Sequence, residues 1–201
     1  MGREILAGLL ADDSVAAVHA VGRRPLPVKH HKLHFRGVDF TALPSLPNVD
    51  EVYLALGTTI KVAGSQAAFR AIDYEANLAV ARAANAEGAS RIGLVSAMGA
   101  DGQSRIFYNR VKGELEEALG HMNWRALVIA RPSFLTGDRE ALGQPLRPGE
   151  KTALRISTLL RPLIPANLRS IEAAKVARAL TRAVPKAQGR RVLLSGEMQS
   201  L

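Results

Sequence analysis

Cysteine is absent from this chain of 201 residues. That excludes a disulfide framework and any thiol chemistry, and it fits a reducing compartment, so a cytoplasmic protein is the expectation. A basic-then-apolar leader is also missing from the opening residues. No apolar run approaches the roughly eighteen residues that a membrane-crossing helix needs, so no membrane partner is expected. Aromatic residues make up only 4% of the chain, and its 27 lysines and arginines are scattered rather than gathered into a run. Nucleic acid is therefore not an expected partner. Acidic residues are in deficit, 18 against those 27, which leaves a net charge of +9. Attraction for a multiply phosphorylated cofactor accounts for this charge, and so does a generally basic, solvated surface.

What is present is 47% apolar residues, enough to bury a core, with no internal repeat and no interdomain linker. A single domain over residues 1–201 follows. Residues 92–95 form a short apolar run closed by Ser96 and followed by Ala97-Met98-Gly99-Ala100-Asp101. Such a run reads as a buried strand. The helical segment after it carries Tyr108 and Lys112. Residues four apart on a helix sit one above the other, which brings the Lys112 ammonium near the Tyr108 phenol. A free phenol titrates at about pH 10, and a neighbouring cation favours the phenolate. The expectation is a tyrosine of lowered pKa that exchanges a proton with a substrate oxygen while hydride moves at the same carbon. Ser96 is the candidate to hold that oxygen, with Ser133 as its competitor. An ordinary surface helix with a solvated lysine stands as the alternative.

A tyrosine–lysine pair behind a serine-ended strand, in a chain that alternates strands and helices, resembles the short-chain dehydrogenase/reductase superfamily. Within it the chain resembles the small atypical branch that includes the Tat-interacting protein of 30 kDa. Y-x-x-x-K at 108–112, A-L-G-T-T at 55–59 and R-P-x-x-L-x-G at 131–137 carry the resemblance jointly. It covers essentially the whole chain, including Asp138-Arg139 and Arg147-Pro148-Gly149-Glu150.

The fold expected is a Rossmann-like α/β domain with a mainly parallel sheet and helices on both faces. Residues 1–10 read as an amphipathic helix and residues 15–21 as the second strand of such a unit. The first strand and its glycine-rich turn belong before them. Gly2 looks like the last glycine of a G-x-x-G-x-x-G turn, so the expected strand order is 3-2-(1)-4-5-6-7 with strand 1 lacking. On this reading the natural protein begins about ten to fifteen residues earlier, unless strands 2 and 4 close up and pair directly. Further strands are expected at 32–38, 49–56, 89–95, 124–130 and 191–194. Residues 60–64 read as a loop over the sheet edge. Helices are expected over 65–87, from Tyr108 onward, over 151–163 and over 171–184, with a small substrate cap around 138–170.

Arg23 and Arg24 end strand 2 without a carboxylate. An acidic residue there would select NAD by bonding the ribose hydroxyl, whereas guanidinium groups grip a 2′-phosphate. NADP is the expected cofactor and NAD the lesser choice, with two solvated turn arginines as the bland reading. The resemblance adds Asp39 and Phe40 close to the adenine, Leu56-Gly57-Thr58-Thr59 at the crevice, Asn77 near the lysine, and Arg131-Pro132-Ser133 along the nicotinamide carboxamide. Lys112 doubles as ribose anchor, and the Asn77 position suits an ordinary polar helix residue equally well. His30, His31 and His34 lack an accompanying acidic helix motif, so no metal site is expected.

These residues imply an NADP-dependent oxidoreductase of a small carbonyl or alcohol substrate, with Tyr108 as acid/base. The alternative is a nucleotide-binding regulator or scaffold without turnover. The partners expected are a nicotinamide dinucleotide and a small molecule, and a homodimer is left open.

Overall fold

The apolar runs become parallel strands in a computed structural model that describes residues 1–136 and 165–200. Strand β1 (Val18–Gly22) pairs with β2 (Leu33–Gly37) in one two-stranded sheet. A second sheet has the order β3 (Glu51–Leu54), β4 (Arg91–Val95), β5 (Ala126–Arg131), β8 (Gly189–Leu194), every neighbour parallel. A short third sheet joins β6 (Leu135–Thr136) to β7 (Ile171–Glu172). Within each sheet the order agrees with the expected one, β2-β1 in the first and β3-β4-β5-β8 in the second. β1 and β3 belong to separate sheets, so the direct pairing considered above does not form.

Strand β5 explains why the middle of the sheet is continuously apolar. Leu127 and Ile129 point into one core, and Val128 and Ala130 into the other, as the two-residue period of a strand requires. The first core is covered by α4 (Asn77–Ala86) through Leu78, Val80, Ala81 and Ala84, and by α5 (Phe107–Gly120) through Leu115 and Leu119. The second is covered by α1 (Gly2–Ala11) through Ile5 and by α6 (Ala173–Ala183) through Val176, Ala177 and Leu180. A sheet buried on both faces favours such runs over alternation. Gly93 in β4 lets α6 come close, since a Cβ there would lie 2.9 Å from Val184 and 3.1 Å from Leu180. The amphipathic start folds as expected, and a Cβ on Gly2 would rest 3.8 Å from Ala55, so the start of α1 lies beside the end of β3.

Two expectations need correction. The segment 60–64 is not a plain loop, because α2 (Ile60–Ala63) forms behind Thr59, whose hydroxyl accepts the Val62 amide at 3.2 Å. The long helix expected over 65–87 runs without a gap from 66 to 86, but its α3 (Gln66–Arg70) and α4 parts are joined by a π-helical turn (Ala71–Ala76). Single π-turns inside α-helices collect at functional sites, and here Asp73 and Asn77, in and directly after the turn, are fully buried. The strand β7 and a last helix α7 (Ser195–Ser200) were not anticipated. Of the cap expected around 138–170, residues 138–164 lie outside the described residues, as do Asp138-Arg139, Arg147–Glu150 and the helix expected at 151–163.

Candidate functional site

Tyr108, Lys112 and Glu116 are spaced by four along α5, so they share the face turned toward the sheet. Lys112 is 5% exposed and Glu116 1%, while Tyr108 is half-buried. Long charged side chains are almost never buried without a partner, and each of these two has one.

The partner of Lys112 is Asp73 on the π-turn, with Nζ 2.7 Å from Oδ1. This contact is a close ion pair without the alignment of a hydrogen bond. The other carboxylate oxygen, Oδ2, accepts the Thr58 backbone amide at 2.8 Å. Asn77 donates its Nδ2 to the carbonyls of Leu56 (3.2 Å), Ile72 (3.1 Å) and Asp73 (3.2 Å). Its Oδ1 is buried and makes no hydrogen bond among the described residues. The Leu56–Thr58 segment at the mouth of β3 is thus tied from beneath by one aspartate and one asparagine. Gly57 lies directly over them: a Cβ there would sit 3.4 Å from Asp73 Oδ1 and 3.8 Å from Lys112 Nζ. Thr59 is spent on capping α2.

Tyr108 does not behave as expected. Its phenol is pushed above its ordinary value, first by burial and then by the negative charge of Asp73. The Lys112 cation that was to lower it is neutralised by that same Asp73. The ring packs against Phe69, centroids 5.5 Å apart.

Ser96 is likewise engaged elsewhere. Its hydroxyl donates to Glu116 Oε1 at 2.6 Å, and it is buried. Arg131, at the end of β5, grips the same carboxylate through Nε (3.0 Å) and a terminal nitrogen (2.6 Å). Those bonds to Glu116 raise the guanidinium pKa further. Arg190 adds a contact at 3.4 Å. The Pro132 carbonyl accepts the Met98 amide at 2.9 Å, joining the loops that follow β4 and β5. Ser133 donates its hydroxyl to the Arg169 carbonyl and accepts one from Ser195 at 3.0 Å. Both candidate substrate-holding hydroxyls therefore have protein partners.

The cofactor candidates are dispersed. Arg23 and Arg24 are exposed just beyond β1. Asp39 is exposed and closes a turn, its carboxylate accepting the Thr41 amide (2.9 Å) and hydroxyl (2.8 Å), which hold it below the usual carboxylate range. Phe40 packs on the first core. The histidines stack in pairs, His30 on His31 and His19 on His34. Among the described residues no group of three metal-capable side chains gathers, and no helix is long and apolar enough to cross a membrane. A cleft of about 510 Å³ is lined by His19, Val21, His34, Arg36, Leu46 and their neighbours, away from Tyr108.

Asp73 and Glu116 are the residues that sequence reasoning missed. Each was legible as a charge at a buried helical phase: Asp73 four before Asn77, Glu116 four after Lys112.

No family profile matches the chain. Individual proteins do. Protein FMP52, mitochondrial, of Coccidioides immitis is 35% identical over 156 residues, covering 70% of this chain and 63% of that protein. Protein FMP52, mitochondrial, of Chaetomium globosum is 31% identical over 166 residues, covering 77% and 70%. Among solved structures, MoeE5 in complex with UDP-glucose and NAD superposes with a TM-score of 0.68 at 19% identity, covering 96% of this chain and 71% of that one. The fold is thus that of a Rossmann-like α/β protein, the class in which that NAD complex falls. More narrowly, the chain belongs to the FMP52 family. It spans less than two thirds of the first relative's length, 63%. The cytoplasmic expectation is overturned, because these relatives are named mitochondrial. A chain without cysteine has neither a disulfide to keep nor a thiol to protect, so its cysteine count does not select a compartment.

Proposed function

We propose that this protein is an NADP-dependent oxidoreductase of the short-chain dehydrogenase/reductase type, acting on a small carbonyl or alcohol, with Tyr108 as acid/base. The observation that carries it is the inward face of α5, where Lys112 stands beside Gly57 at the carboxyl end of β3 and Tyr108 lies one turn before it. In open α/β sheets, ligands bind at that edge. The narrower likeness to the branch of the Tat-interacting protein of 30 kDa and a mitochondrial location, taken from the relatives' names, are parts of the same proposal.

The residues present suit a nicotinamide dinucleotide. Asn77 Oδ1 is a buried acceptor without a donor, and Gly57 leaves the backbone of its segment uncovered by a side chain. Exposed Arg23 and Arg24 offer guanidinium groups without a competing carboxylate beside them in sequence, which suits a 2′-phosphate. Lys112 would anchor the ribose, and Asp39, Phe40, Thr59 and Arg131-Pro132-Ser133 would border the cofactor. When bound, the nicotinamide supplies or accepts hydride. The chain's own part is to hold the substrate oxygen and move a proton at the Tyr108 hydroxyl. Ser96 would join in only by releasing Glu116.

A regulator without turnover is the second reading, favoured by one observation: Lys112 is already paired with Asp73. NADPH consumption against aldehydes, ketones and quinones separates the two. General acid–base catalysis contributes about 10²–10⁴-fold, so Tyr108→Phe should reduce turnover by that order without unfolding the protein. Nucleotide binding with no turnover, indifferent to Tyr108→Phe, supports the regulator.

A further inference from the structure

The Asp73–Lys112 pair is a feature that the oxidoreductase reading does not use. It sits between two parts of the site, because Asp73 meets the Lys112 ammonium with one oxygen and the Thr58 amide with the other. We infer that Asp73 is a positioning residue: it fixes Lys112 beneath Gly57, locks the Leu56–Thr58 segment to it, and thereby makes Tyr108 a proton donor rather than a proton acceptor. This rests on the oxidoreductase reading of the same site.

A lone ammonium beside a phenol draws the proton off it, whereas an ammonium neutralised at 2.7 Å leaves the phenol governed by its burial and by the carboxylate. Both latter influences act on Tyr108, and both favour the protonated form. Among the described residues, burial and Asp73 set this balance, with Lys112 paired to Asp73. On α3 and α5, Arg70 and Arg110 pair with Glu114. Asp101 and Arg105, on the loop before α5, are exposed, and Phe69 presents an uncharged ring. A protonated phenol suits the reduction of a carbonyl: a bound reduced nicotinamide would supply the hydride for the new C–H bond and be left oxidised, the C=O π pair would move to oxygen, and the Tyr108 hydroxyl would give that oxygen its proton. The phenolate left behind is reprotonated from water. The site is thus arranged for reduction at neutral pH, and the substrate class is a carbonyl compound rather than an alcohol.

The test titrates the phenols by their ultraviolet absorbance, with Tyr108→Phe subtracted to isolate Tyr108. Asp73→Asn should lower its midpoint by about one pH unit or more, as expected for a nearby cation losing its counter-charge. Asp73→Glu should restore it. Because Asp73→Asn leaves a buried lysine alone and can fail to fold, Asp73→Asn/Lys112→Met is measured beside it. With neither charge present, its Tyr108 midpoint should stay near that of the parent. An Asp73→Asn midpoint unchanged from the parent overturns the inference. So does a double variant whose midpoint falls by a unit, because burial alone would then not hold the proton. If Asp73→Asn does not fold, the double variant and Asp73→Glu decide by the same criteria. With a carbonyl substrate in hand, Asp73→Asn should raise the ratio of oxidation to reduction at pH 7. Titrations that shift as described in a protein without any turnover uphold the role of Asp73 and reject the oxidoreductase reading instead.

Discussion

Around Lys112 and around Glu116, one turn further along α5, the chain buries a carboxylate and answers it in opposite ways. Glu116 is satisfied on both oxygens: Ser96 and Arg131 reach Oε1, while Arg131 and Arg190 reach Oε2. Its partners come from the ends of β4 and β5 and from β8, so it braces α5 against the sheet. Asp73 has one hydrogen-bonded oxygen, a second that meets Lys112 out of line, and beside it an Asn77 oxygen with no hydrogen bond. Buried polar groups are nearly always hydrogen-bonded, and the exceptions need a reason. The completed network holds the fold together. The incomplete one lies beside the candidate acid/base and leaves two buried acceptors without a hydrogen bond among the described residues.

Substitution of Lys112 should disturb the molecule most. Removing one partner of a buried pair costs about 3–5 kcal/mol, because the charge left behind is uncompensated. Lys112→Met should therefore lose about that much stability in urea denaturation, together with cofactor affinity and turnover. Much of the stability should return in Asp73→Asn/Lys112→Met, and the affinity should not. A Lys112→Met protein of unchanged stability, affinity and rate would leave the pair without a role in folding or in the site.

Glu116→Ala comes next. Arg131 and Arg190 reach water, so the loss should fall at the lower end of the same range, about 3 kcal/mol. Unlike changes at Lys112, it should leave the Tyr108 titration where it was. A shifted titration in Glu116→Ala would mean that the two clusters are not separate.

Outside both clusters, Arg23→Ala/Arg24→Ala should keep stability and narrow a preference for NADPH over NADH by about tenfold. That is near the lower end of what hydrogen bonds to charged groups contribute, since both side chains are exposed. Equal affinities in the parent protein would refute the NADP assignment.

The smallest effect is on stability at high pH. Burial raises the phenols of both Tyr53 and Tyr108, and Tyr53 is further raised by donating to Glu51 at 2.7 Å. Groups whose folded pKa lies above the unfolded value, about 10, contribute stability that is intact below that pH and lost as pH rises through the folded value. The urea midpoint should hold to about pH 10 and then decline, less steeply in Tyr108→Phe. A flat profile to pH 11 (about one unit beyond the unfolded phenol) would contradict the burial of these rings.

The sequence by itself determined the class of fold and the helical spacing of the candidate residues. The apolar runs at 92–95 and 126–130 read as strands covered on both faces, and the periods of the helices named the faces that cover them. Y-x-x-x-K on a helix put Tyr108 and Lys112 on one side of α5, because helical phase depends on spacing alone. The strand order was legible through the likeness to a Rossmann-like unit, and the order within each sheet agrees with it. Tertiary structure decided what those residues are bonded to. Whether Lys112 faces a phenol or a carboxylate depends on where residue 73 stands, thirty-nine positions away in the chain, and on a π-turn that a helical pattern does not announce. Ser96 and Arg131 looked free in the sequence and are both held by Glu116. A pKa or a hydrogen bond depends on distances of a few ångströms between segments remote in sequence, and only packing sets those distances.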